Sequence, residues 1–175
     1  GPLRVLPGTY NSTASKHGYR SQSQTITIAN GESLVRNFTL EPIAVLESTG
    51  TEVSAESCRP NNAVEPGETV TIGIALRNTG AANAANMTAT LLAGGGVVSP
   101  SPPQNYGPMP VGGPPVSRPF TFTAASGIGC GTPISATFEL RDGAVLIGQI
   151  TITIPTGEKK IAFKQNFDRN PLAQL

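Results

Sequence analysis

At 175 residues, with 38% hydrophobic residues and a formal net charge of +1, the chain is long enough to bury a core and too apolar and too neutral for charge-driven disorder. Charged residues are only 13%, about half the share in ordinary soluble domains, and the absence of a basic stripe excludes a nucleic-acid surface. No run approaches the roughly 18 apolar residues of a membrane helix, so no membrane insertion is expected, and 20 Gly and 16 Pro fit short strands joined by turns.

The first segment, residues 1–42, opens with GPLRVLPGTY, which lacks a basic stretch followed by an apolar one and is not read as a signal peptide. Residues 9–14 (TYNSTA), 24–29 (QTITIA) and 34–40 (LVRNFTL) alternate and are Thr-rich, so three strands are expected. Asn30-Gly31 is the hairpin turn between the last two.

The motifs Pro7-Gly8-Thr9-Tyr10, Lys16-His17-Gly18-Tyr19 and Asn37-Phe38-Thr39-Leu40 resemble the second half of a carboxypeptidase-regulatory-like domain, a transthyretin-like β-sandwich common in secreted bacterial proteins. The strands with which that family opens have no counterpart here. The resemblance implies a domain cut through its middle, or missing strands supplied by another chain.

Residues 43–54 read as a strand linking this segment to the main unit, 43–157. The clearest strand is 69–78, where Val70, Ile72, Ile74 and Leu76 alternate with Thr71, Gly73, Ala75 and Arg77. Pro66-Gly67 reverses the chain before it and Asn78-Thr79-Gly80 closes it. Further strands are expected over 52–58, 86–93, 116–124, 133–141 and 145–154. Their inner faces carry Met87, Ala89 and Leu91; Phe120 and Phe122; Ile134, Ala136, Phe138 and Leu140; and Leu146, Ile150, Ile152 and Ile154. Six or seven such strands predict an all-β, Ig-like antiparallel β-sandwich, with the N-terminal strands as additions from a partial transthyretin-like sandwich. The Pro/Gly tract 94–115 is a flexible linker or an ordered loop with extended pieces; Val97, Val98, Tyr106 and Met109 favour order.

Cys58 and Cys130 are the only cysteines, without CxxC spacing and with a single histidine in the chain, a poor metal set. A disulfide is the better reading, with two buried free thiols as the alternative. The disulfide would close a loop of about 73 residues, add up to roughly 4 kcal/mol, and imply an oxidising compartment.

Glu56-Ser57-Cys58, Pro66-Gly67-Glu68, Asn78-Thr79-Gly80 and Cys130-Gly131 resemble the recurrent motifs of Ig-like accessory modules in large secreted bacterial proteins, often beside fungalysin-like or subtilisin-like peptidase domains. In residues 158–175, the FKQNFD run at 163–168 resembles the opening of a cleaved-adhesin or concanavalin-like jelly roll, with Gln165 where that family often has Glu. Both ends therefore resemble parts of neighbouring modules.

Catalytic patterns are missing. His17 stands in a Lys-His-Gly turn, expected on the solvated surface, and no GxSxG, HExxH or P-loop occurs. Among carboxylates, Glu52 and Glu56 would share one strand face, Glu65 and Glu68 flank the Pro-Gly turn as solvating groups or as weak calcium ligands, and Asp142 closes an Arg-Asp-Gly hairpin. Asn11, Asn37 and Asn86 begin N-glycosylation triplets that arise readily in Thr-rich strands. An aromatic platform for carbohydrate is poor, with 5% aromatics and no tryptophan.

The expectation is a non-enzymatic, secreted or cell-surface spacer or adhesion module with no cofactor and no metal, whose partners are other protein domains of the same or neighbouring chains. The alternative is a homo-polymer, an extracellular fibre built by β-strand addition.

Overall fold

A computed structural model describes residues 4–57, 63–129 and 131–157. Every element is a strand: β1 (Gly8–Ala14), β2 (Gln22–Ile28), β3 (Leu46–Glu56), β4 (Thr69–Asn78), β5 (Ala84–Leu91), β6 (Val97–Val98), β7 (Gln104–Met109), β8 (Val116–Ala124), β9 (Ile134–Asp142) and β10 (Val145–Ile154). The fold is all-β, with antiparallel sheets. β1 and β2 form a separate two-stranded sheet, and the rest make two four-stranded sheets ordered β10-β9-β5-β7 and β3-β4-β8-β6. The pairing of β3-β4-β8 in one sheet and β10-β9-β5 in the other is the A-B-E and G-F-C arrangement of an immunoglobulin-type sandwich.

The core follows from alternation. Val70, Ile72, Ile74 and Leu76 of β4 are fully buried and face Met87, Ala89 and Leu91 of β5 together with Ile134, Ala136, Phe138 and Leu140 of β9. Phe120 of β8 meets Phe138 of β9 edge to face across the sandwich, centroids 5.0 Å apart at 75°. The tract before β8 is ordered: Val97, Tyr106 and Met109 are buried, while Val98 is 45% exposed.

Tyr106 ties the two sheets together, because its hydroxyl donates to the carbonyl of Ile74 at 2.8 Å. Burial holds this phenol well above its ordinary range, with the Arg118 guanidinium pulling weakly the other way. An unfolded tyrosine ionises near pH 10. Because the folded value is raised, its stabilising contribution is complete below about pH 10 and is lost as pH climbs toward the folded value. Tyr106→Phe is expected to lower stability by about 1 kcal/mol at neutral pH and to flatten the alkaline fall in melting temperature. An unchanged alkaline fall would mean that Tyr106 is not the group responsible.

Several elements differ from the sequence expectation. Residues 34–40 form no strand, and β2 pairs with β1 instead, from Gly8↔Ile28 to Ala14↔Gln22. Asn30-Gly31 does turn, with the Glu32 amide donating to the Ala29 carbonyl at 3.2 Å. Only Gly31 has positive φ there (77°), Asn30 does not, so the turn is not the primed type that returns a strand onto its neighbour. The linking strand and the 52–58 strand are one 11-residue β3, whose irregular pattern is absorbed by register breaks at Ser48/Gly50 and Val53/Ala55. In β10 a break between Leu146 and Gly148 turns Leu146 out, 52% exposed, and Ile147 packs against the core in its place.

Candidate interaction surfaces

The Lys16-His17-Gly18-Tyr19 turn docks the N-terminal arm onto the sandwich. The Tyr19 amide donates to the Lys16 carbonyl at 3.0 Å and closes the turn, with the Lys16 ammonium 4.9 Å from the Tyr19 ring centre. The Gly18 carbonyl accepts from the Ile43 amide at 2.8 Å, and the Arg20 amide donates to the Glu41 carbonyl at 2.8 Å. The chain from Glu41 then passes to the turn after β4. There the Ile43 carbonyl accepts from Ala81 and Ala82 at 2.9 and 3.2 Å, and the Val45 carbonyl from Thr79 at 2.8 Å.

Glycine is required at two places in this joint. A β-carbon on Gly80 would collide with the Ile43 carbonyl oxygen and the Val45 nitrogen, and one on Gly18 would lie 2.7 Å from the Ala81 nitrogen. His17 also contributes: its Nε2 lies 3.0 Å from the Thr79 carbonyl, which can only accept, so Nε2 carries the proton. The expected solvated turn histidine is thus exposed but engaged, linking arm to sandwich.

Beneath the turn, Asn78 is 1% exposed. Its Oδ1 accepts from Gly80 at 3.0 Å and Val45 at 3.3 Å, and its Nδ2 donates to the carbonyls of Ala82 at 2.8 Å and Met109 at 3.0 Å. All four hydrogen bonds of one side chain thus join the residue before β3, the turn after β4 and the end of β7. The sequence marks Asn78 only as a turn residue; the signal missed is that it falls on the inner face of β4, in phase with Ile72, Ile74 and Leu76.

The carboxylates serve the fold. Asp142, beyond closing its hairpin, accepts from Ala85 at 3.0 Å and Asn86 at 2.6 Å and so fixes the start of β5. Glu139 pairs with Arg141 at 2.7 Å. Glu68 is not a solvating group: it is 2% exposed and accepts from the Glu65 amide at 3.0 Å across the Pro66-Gly67 turn, where Gly67 has φ 80°. Glu52 and Glu56 do not share a face. Between them the register of β3 breaks, so Glu52 opposes Gly73 and Glu56 opposes Val70, which point to opposite sides of β4. Among the described residues no group of three His, Cys, Asp or Glu is placed to hold a metal.

Two shallow depressions of about 260 and 390 Å³ border β3, one against Gly73, Ala75 and Ser117, the other against Thr153 and Ile154 of β10 and the following Pro155. Neither has an aromatic wall or a convergent set of polar groups, the features that mark ligand pockets. No described helix is long and apolar enough to cross a membrane.

Cys58 and Cys130, and the segment 158–175 with its FKQNFD run, lie outside the described residues. Next to Cys58, the Ser57 amide donates to the Thr69 carbonyl at 3.0 Å, and Thr69 opposes Thr123 near the end of β8, from which the chain runs on to Gly129. At the same end Val64 pairs in parallel with Thr156. Comparison with known proteins gave no matching family model, no similar curated protein and no similar solved structure.

Proposed function

We propose that the chain is a non-catalytic, secreted or cell-surface module of a multidomain protein, which holds neighbouring domains at a fixed spacing and presents its sheet surfaces to other proteins. The observation that carries this reading is the joint between arm and sandwich. Its contacts are mainly backbone hydrogen bonds, closed sterically by Gly18 and Gly80, which is how a connector resists bending. A flexible Gly/Ser tether would be expected between independently moving parts.

The chemistry of the side chains points the same way. The single histidine is spent on Thr79, and Asp142, Glu139 and Glu68 are spent on amides or a guanidinium. A Cys58–Cys130 bridge would fit an extracellular setting. The carboxypeptidase-regulatory-like and Ig-like accessory resemblances supply the picture of a modular secreted protein.

A second reading, a fibre subunit assembled by strand addition, draws on the arm. The buried hydrophobic core begins at Ala44, so no apolar side chain among the described residues of the arm is buried, and a lone two-stranded sheet is marginal in water.

Small-angle scattering combined with NMR relaxation tests the first reading. Arm and sandwich are expected to tumble as one body. In Gly80→Val the steric conflict with Ile43 and Val45 opens the joint, and the β1–β2 amides should gain motion while the sandwich stays folded. Independent tumbling of the arm in the unaltered protein would sink the spacer reading.

A further inference from the structure

The four edges of the two sandwich sheets are unequal. β6 has only two residues. β7 contains Pro108 and meets β5 through two register breaks. β3 has two register breaks and carries Glu47, Glu52 and Glu56. Short length, proline, bulges and charge are the devices by which natural sheets discourage pairing at an edge. β10 has none of them after Gly148. From Gly148 to Ile154 it matches β9 one residue for one, from Leu140 to Ile134, and the sequence GQITITI has no charge and no proline.

That stretch is also self-complementary. Directly opposed residues in an antiparallel pair share a face, so a two-fold axis at Thr151 sets Ile150 against Ile152, Gln149 against Thr153 and Gly148 against Ile154. No charge meets a charge. Ile150 and Ile152 pack on the core yet remain partly exposed, whereas Ile154 is 3% exposed. A second strand along this edge completes their cover.

We infer that β10 is a dimerisation edge: two copies of this chain pair β10 to β10, antiparallel about Thr151. The β10-β9-β5-β7 sheets of the two copies become one sheet of eight strands. An isologous contact of this kind closes on itself, so the product is a dimer and not a filament. The contact is a single strand pair, so association is expected to be weak and to depend on concentration across the micromolar range. This inference goes beyond the spacer reading, which holds for a monomer or a dimer.

Light scattering on untagged, non-reduced protein, from roughly 1 to 500 μM, tests it. The mass should rise from monomer to dimer and stop. Thr151→Lys places two ammonium groups opposite each other on the axis, and should weaken association by about tenfold or more. Thr151 is exposed, and its hydroxyl meets only that of Thr137, at 3.1 Å, among the described contacts. Should Thr151→Lys misfold, Gln149→Lys serves, because Gln149 is exposed and faces Thr153 of the other copy; it should weaken association severalfold. Glu47→Lys on β3 should leave the dimer unchanged. In hydrogen exchange, alternate amides of 148–154 should slow at high concentration. A monomer throughout, growth past the dimer, or a folded Thr151→Lys that dimerises like the unaltered protein each overturns the inference.

Discussion

Phe138→Ala is expected to remove about 3 to 5 kcal/mol of folding stability, the range for emptying a buried aromatic site. Phe138 is fully buried at the middle of β9, and the site is held from both sides. Across the sandwich, Phe120 of β8 meets it edge to face. Along its own sheet it opposes Leu91 of β5 and Ile150 of β10. These neighbours are fixed by two backbone ladders and cannot collapse into the space left behind, which places the loss toward the upper end. Phe120→Ala should cost a similar amount. The double variant should lose less than the sum, by about 0.5 to 1.5 kcal/mol, the excess carried by an aromatic pair over its area burial. Urea unfolding of the four proteins measures this. A loss under about 1.5 kcal/mol for Phe138→Ala would mean that the sheets are not closely packed there.

That part of the fold was legible in the sequence because its signal is local. Strict alternation identifies β4, β8 and β10 with their bounds, and most of their inner faces, since a period of two leaves no choice of face once one side must be buried. The failures occur where a non-local event shifts the phase. The break between Leu146 and Gly148 exchanges Leu146 for Ile147, and the break between Val53 and Ala55 separates Glu52 from Glu56. No single strand announces a bulge, because the extra residue is defined by the partner strand. The Asn-Gly turn failed for a different reason: the dipeptide permits a primed turn without imposing one, and Asn30 keeps negative φ. The docking of Lys16-His17-Gly18-Tyr19 against Asn78-Thr79-Gly80 was illegible as a contact. Both motifs read as turns, and nothing in either names the other as its partner. Residues 97–109 were partly legible, since apolar anchors marked order but not which sheet each would join.

Asn78 offers the sharpest separation of shape from hydrogen bonding. Asn78→Ala should cost about 3 kcal/mol or more. It leaves the Ala82 and Met109 carbonyls and the Gly80 and Val45 amides without their partner, in a place where the side chain was 1% exposed, and each buried group left unmatched costs about 1 to 3 kcal/mol. Asn78→Asp has the same shape but replaces the donating Nδ2 by an oxygen aimed at two carbonyl oxygens. Burial and those oxygens both disfavour the anion, so the introduced carboxyl is pushed up from its ordinary range. The sign then follows from linkage. A raised folded value means that the protonated variant, whose hydroxyl can still donate to one carbonyl, keeps its stability below the ordinary carboxylate range and loses it as pH rises through the folded value. The deficit of Asn78→Asp relative to the unaltered protein should be small at about pH 3.5 and grow toward pH 7. Using the difference between the two proteins cancels whatever pH dependence they share. A deficit that is constant with pH would show that the carboxyl reaches water and that the network is not closed. Because Asn78 holds Val45 and Gly80, the same variant at pH 7 should free the β1–β2 arm as Gly80→Val does. The rigidity of the joint would then rest on one buried amide as much as on the two glycines.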